Sequence, residues 1–319
     1  MLTMLPLLAG CGEGAEADPT TSPSGTESAV SSAASSALPL LGPVGLVEAA
    51  DGTVWAACAG SDAIAPVQDD GTGRDPVKVG DTPLRIAELD GSLWVTTIGD
   101  GGLAEVDPQT GSVGRTVTLG EEPEGITTLD GHLFVVLQAG AALVEVDPAD
   151  GAVRRRYDVG GEPRLVAAGE GALYVGDFAG GRVVRVQPAK ENLRRSKPVC
   201  AGVQDLLVLD GTVWAACMTD NRLIGLDPKT LAVTRRITVE GDPDGLAAGP
   251  GSTVLVSLQD GPGLAVVDLA DDSVERLPAG ESGRLFDQAN IDVIERDGTA
   301  FVSDYTGNKV AVLRLPGQG

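Results

Sequence analysis

Seven times along this chain a tight-turn pair runs into a large apolar residue, as DGTVW, DGSLW, DGHLF, EGALY, DGTVW, GSTVL and DGTAF. The marker residues are Trp55, Trp94, Phe134, Tyr174, Trp214, Leu255 and Phe301, spaced by 39, 40, 40, 40, 41 and 46 residues. A fixed period of this length means one supersecondary unit repeated, each copy unable to bury its apolar face except against its neighbours. Within a unit the apolar residues alternate. GITTL runs into a DG turn, HLFVVLQ returns, ALVEV follows, and a DPADG turn leads into VRRRYDVG. Glycine supplies the positive φ that two-residue hairpins need, so each unit reads as four antiparallel strands, A to D. The expectation is an all-β chain, a seven-bladed β-propeller of four-stranded antiparallel blades.

A propeller must join its first and last blades or leave raw sheet edges. The chain ends at NKVAVLRLPGQG, a C strand with no D strand after it, while ALPLLG before the first unit matches the D-strand ending TVTLG. Residues 37–42 are therefore expected to supply the D strand of blade seven. The propeller then spans residues 37–319.

The 44 glycines and 20 prolines, without a three-residue period, fit a chain of many turns. A net charge of −23 opposes phosphate backbones and argues against nucleic acid as a partner. Much of that charge sits in DG and VDP turns, where Asp bonds its own backbone.

The first residues, MLTMLPLLAGC, are too short an apolar run to cross a bilayer. The ending Leu8-Ala9-Gly10-Cys11 resembles a bacterial lipobox, which implies a signal peptide over residues 1–10 and lipid attachment at Cys11. Residues 11–36 continue as a Ser-, Thr- and Ala-rich stretch with little that can form a core, and read as a disordered tether. The expected location is extracytoplasmic, on a bacterial membrane through the lipid anchor alone.

The recurring VDPxTG and GxxPxG turns, as in VDPQTGSVGRTVTLGEEPEGI, resemble the YVTN-type propeller repeats of secreted and surface proteins, over about residues 37–315. That resemblance implies binding at the cell surface, although a fold confers no activity by itself.

Ligands of propellers usually meet the loops around the central channel, where strand A begins. The units offer there Leu84-Arg85, Glu124-Gly125, Arg164-Leu165, Gln204-Asp205, Asp244-Gly245 and Ile291-Asp292. The candidate funnel-face binding residues are Arg85, Glu124, Arg164, Asp205, Asp244, Asp292 and, in the longer insertion before the last unit, Asp287, with Arg284, Phe286 and Asn290 beside it. The B-to-C loops add Asp62, Asp100, Asp177, Asp220, Asn221, Asp260, Asp304 and Asn308, oxygen ligands that suit a divalent cation if several converge. None has the spacing of a known calcium loop. No cofactor is specifically indicated.

His132, the only histidine, lies in an A-to-B turn on the face opposite the funnel, which argues against histidine acid–base chemistry. Virginiamycin B lyase is a propeller similar in outline, but its chemistry implies a histidine at the funnel. In an oxidising compartment Cys200 and Cys217, which strand pairing brings together, are expected to form a disulfide contributing about 3 kcal/mol in the chain-entropy model. Cys58 is expected to be a buried free thiol.

The function expected is a non-enzymatic module, monomeric, that binds an envelope protein, a glycan or a small ligand through its funnel loops. The alternative is a metal-assisted hydrolase or lyase, lactonase-like, built on funnel carboxylates such as Glu124, Asp205 and Asp244.

Overall fold

A computed structural model describes residues 37–260, 263–279 and 290–316. Cys11, the signal segment and tether, and Arg284, Phe286 and Asp287 lie outside the described residues.

Seven antiparallel sheets follow one another in chain order. Blade 1 comprises Pro43–Glu48, Val54–Cys58, Ala63–Pro66 and Val77–Lys78; blade 2, Pro83–Leu89, Ser92–Thr97, Gly102–Asp107 and Ser112–Thr118; blade 3, Pro123–Leu129, His132–Leu137, Ala142–Val146 and Val153–Asp158. Blade 4 is built from Pro163–Gly169, Ala172–Asp177, Arg182–Gln187 and Asn192–Arg195, and blade 5 from Val203–Leu209, Thr212–Cys217, Arg222–Leu226 and Val233–Thr238. Blade 6 holds Pro243–Ala248, Thr253–Leu258, Gly263–Asp268 and Val274–Leu277, and blade 7 holds Asn290–Arg296, Thr299–Asp304 and Lys309–Arg314.

The hairpins form for the reason the sequence suggests. Asp90-Gly91, Asp130-Gly131, Glu170-Gly171, Asp210-Gly211 and Asp297-Gly298 all have positive φ at both residues, the two-residue turn that matches strand twist. Proline opens five of the A strands, where its missing N–H costs no ladder bond. Once the turn fixes the register, the alternation sends one face of each sheet into each neighbour. The seven marker residues are all buried, at 0–4% exposure.

Seven apolar clusters result, one at each boundary between blades. The ring closes where Leu40, Leu46, Val54 and Ala56 pack against Phe301 and Val310. The closure differs from the expected fourth strand in blade 7, whose sheet has three strands among the described residues. Pro39 brings no N–H, and Leu38 pairs with Gly73 of blade 1 instead. Besides the packing of Leu40, residues 37–42 are tied to blade 7 by hydrogen bonds at Asn308, where the Leu40 and Gly42 amides donate to its carbonyl and side chain, each at 2.9 Å. The Val310 amide donates to Gly71 O at 2.9 Å, so a turn of blade 1 occupies part of the edge.

Candidate functional site

Every A strand carries the same irregularity. Between its first residue and the fourth, two residues oppose one residue of strand B, a β-bulge repeated in all seven blades. The bulged pairs are the ones read from the sequence as a ring, with Val44-Gly45 in blade 1 completing it. A bulge frees amides from the ladder and re-aims the side chains it carries. Hydroxyls opposite three bulges satisfy the freed amides: Thr96 accepts from Arg85 N (3.1 Å) and donates to Glu124 O (2.8 Å), Ser257 accepts from Gly245 N (2.8 Å), and Ser303 accepts from Asp292 N (2.8 Å). Sequence reasoning missed these three. Their signal is a small hydroxyl where other units place Val, Ala or Gly.

Four of the expected site residues come together in the channel. Arg85 is buried against Asp292, 3.1 Å away, and also feels Asp244, Asp205 and Glu124. Gly45 lies between them in the ring: a Cβ there would press on the Arg85 Cα and Cδ, so only glycine leaves Arg85 its path to blade 7. Asp292 also accepts from its own neighbour Val293 N (2.9 Å) and from Leu46 N of blade 1 (2.8 Å). Asp205 does the same between blades 5 and 6, accepting from Leu206 N (2.7 Å) and Leu246 N (2.9 Å). Each carboxylate thus ties one bulge to the next. A polar cavity of about 110 Å³ lies between Arg85, Gly125, Leu165, Asp205 and Asp292.

The electrostatics follow from burial. Burial pushes Asp205 and Asp244 up to about 7, against the attraction of Arg85. Burial also raises Asp292 despite Arg85 and its two amides. Burial would lower Arg85, but Asp292, Asp244, Asp205 and Glu124 together hold it above its ordinary value. Asp244 accepts from the Gln259 amide at Oδ2, while its buried Oδ1 has no hydrogen-bond partner among the described residues.

Glu124 and the partly exposed Arg164 form a neighbouring group. Arg164 pairs with Glu124 at 3.6 Å and Glu162 at 2.9 Å, and its guanidinium lies 5.2 Å from the Phe178 ring centre. In the amide orientation that satisfies both neighbours, Gln138 donates to Glu124 (3.3 Å) and accepts from Arg164 (2.9 Å). Burial raises Glu124, opposed by Arg164 and Arg85. Phe178 and Gln138 were not among the expected residues. Phe178 is nonetheless an aromatic directly after strand B, in the B-to-C loop GDFAGG, a place where the last unit carries Tyr305.

The B-to-C acids do not converge. Asp100, Asp177 and Asp220 each accept a backbone N–H from the D-to-A turn of their own blade, at Asp81, Glu162 and Ala201. Asp62, Asn221 and Asn308, all in the left-handed region, instead hold the turn leading into the next blade, at Thr82, at Gly241 and Asp242, and at Gly42. Asp304 caps Gly307 N (2.9 Å), and Asp260 uses its backbone, its N–H donating to Gly241 O (3.0 Å) and its carbonyl accepting from Arg276 (3.0 Å). Among the described residues no group of three or more His, Cys, Asp or Glu is arranged to hold a metal.

Cys200 and Cys217 are bonded, joining a D-to-A turn to the end of strand B in blade 5. Cys58 is a free buried thiol, pushed up to about 12 by burial. His132 opens strand B of blade 3 at the A-to-B turn, 4.0 Å from Glu145.

No family model matches the chain, and no curated protein matches it. Solved structures do. A catalytically inactive histidine-to-alanine variant of virginiamycin B lyase from Staphylococcus aureus, with quinupristin, is 18% identical over 86% of this chain and 95% of that one, with a TM-score of 0.73. Kuenenia stuttgartiensis hydrazine synthase is 17% identical over 90% and 99%, also at 0.73. The extracellular domain of a hybrid two-component system from B. thetaiotaomicron is 13% identical over 85% of this chain and 39% of that one, at 0.67. At these identities the likeness establishes the fold: this chain is a seven-bladed β-propeller.

Proposed function

We propose that the chain is an extracytoplasmic, lipid-anchored binding module of the YVTN-repeat type, which captures an envelope protein, a glycan or a small ligand at its funnel mouth without chemistry. The observation that carries this reading is the Arg164–Phe178 pair. A guanidinium stacked on an aromatic ring, with part of its side chain exposed and Glu124 and Glu162 fixing its direction, has the composition of an interface anchor. Two other channel acids support the same reading, because Asp205 and Asp292 spend their oxygens on backbone amides and Arg85. The one histidine lies on the opposite face, unlike the arrangement a histidine-dependent lyase would need.

Two measurements test the proposal. Envelope material retained by the immobilised protein should fall at least about tenfold for Arg164→Ala with Phe178→Ala, the loss of one anchor worth ~2 kcal/mol. Retention unchanged by that double variant would remove the funnel mouth as the site. Palmitate labelling in cells should vanish for Cys11→Ser, and a label that persists would remove the anchor.

A further inference from the structure

Residues 151–200 carry ten Lys and Arg against five Asp and Glu, in a chain whose net charge is −23. Several of the chain's rim arginines have a repeated structural task. The fourth strands of blades 2, 3 and 5 each bulge by one residue, and an arginine in or just past the bulge reaches the following blade. Arg115, Arg155 and Arg235 donate to the C-to-D turn carbonyls of Pro148, Pro188 and Leu269.

Blade 4 departs from this rule. Its pairing runs unbroken through Val186–Leu193, Arg185–Arg194 and Val184–Arg195, which puts Arg194 in the ladder place of those three arginines. The carbonyl that Arg194 would take, Pro228 O, already accepts from the Tyr174 hydroxyl at 3.0 Å. Among the described residues the side chain of Arg194 makes no hydrogen bond or ion pair, and neither does that of Lys197. Both are exposed. They border a groove of about 540 Å³ between blades 4 and 5, lined further by Arg195, Pro198, Leu231 and Val233. Leu231 sits at φ 58, where blades 2 and 3 use Gly111 and Gly151, and its side chain is buried as part of the groove's floor. Strand Asn192–Arg195 is the outermost of its sheet, so its outward amides and carbonyls lack ladder partners.

We propose that this groove binds an extended segment of a partner protein in which acidic side chains alternate with apolar ones. The free cations select the acids, the apolar walls take the residues between them, and the strand edge offers main-chain bonds. A free inorganic anion would leave the apolar wall unused. An anionic membrane or a nucleic acid would meet the remainder of a chain at −23 within a Debye length of ~8 Å, whereas a single extended segment meets only the local excess of cations.

The test uses the full chain and a labelled peptide of about twelve residues alternating Glu with Val, compared with the same peptide carrying Gln for Glu. Wild type should bind the Glu peptide at least about tenfold more tightly, and several-fold less tightly as salt rises from about 50 to 300 mM. Arg194→Glu with Lys197→Glu should lose about tenfold or more in affinity while the thermal midpoint stays put, because neither side chain has a partner to lose. Arg164→Ala should bind as wild type does, which separates this groove from the funnel mouth. Equal affinity for both peptides, undiminished binding by the charge-reversed variant, or retention by phosphatidylglycerol vesicles with none of the peptide would overturn the proposal.

Discussion

The hydroxyl of Thr96 does two things at once, accepting the Arg85 amide that the bulge frees and donating to the Glu124 carbonyl of the next blade. It is buried, so neither partner can turn to water if the oxygen is removed. Thr96→Val keeps the shape, and blade 3 carries Val136 at the same place, so sterics are not in question. The expected cost is about 1–3 kcal/mol, the penalty of leaving buried backbone groups unpaired. Thr96→Ser should recover most of it. A urea titration giving less than ~0.5 kcal/mol for the valine variant would mean that the bulge finds other partners. Arg85 illustrates the same dependence on surroundings: a buried guanidinium is tolerable here only because Asp292 meets it directly and two further aspartates stand near.

At the scale of strands and turns, the readable features were those whose cause is local. The DG hairpins are set by two adjacent residues, and the marker residues by position relative to those turns, so strand order, blade number and burial of Trp94 or Tyr174 could all be read from the sequence. The Cys200–Cys217 bond was legible for the same reason, since both residues belong to one hairpin of one blade. The bulge was not. It leaves a run such as PLRIAEL unbroken, and only the pairing of Pro83 with Thr97 and Ile86 with Val95 exposes the extra residue. The Arg85–Asp292 pair was equally hidden, because it joins blades 2 and 7 past Gly45, whose part in it is the absence of a side chain. The blade 7 edge shows the limit of end-matching: ALPLLG resembles a D strand, but Pro39 and the bond from Leu38 to Gly73 divert it.

For the molecule as a whole, two populations of aspartate set opposite slopes in stability against pH. Turn aspartates such as Asp107, Asp147 and Asp227 are lowered by backbone N–H bonds, so their support is present above ~4 and fades as pH falls through their folded values. Asp205 and Asp244 are raised from 3.8 to about 7, and the sign reverses. The folded state holds protons that the unfolded state has released, so their contribution is complete below 3.8 and is lost as pH rises toward 7. Growing negative charge adds repulsion in the same direction. Stability should therefore peak near pH 4–5, on the acidic side of neutrality, and level off above about 7. Asp244 is the better residue to change, because its Oδ1 has no partner among the described residues while both oxygens of Asp205 accept amides that an asparagine nitrogen would oppose. Asp244→Asn should leave stability near pH 4 unchanged and raise it at pH 8 by up to about 4 kcal/mol at 1.36 kcal/mol per pH unit, less whatever Asp205 and Arg85 absorb by readjusting. Denaturant midpoints at the two pH values decide the matter: a variant as pH-sensitive as wild type would place the titrating groups outside the channel.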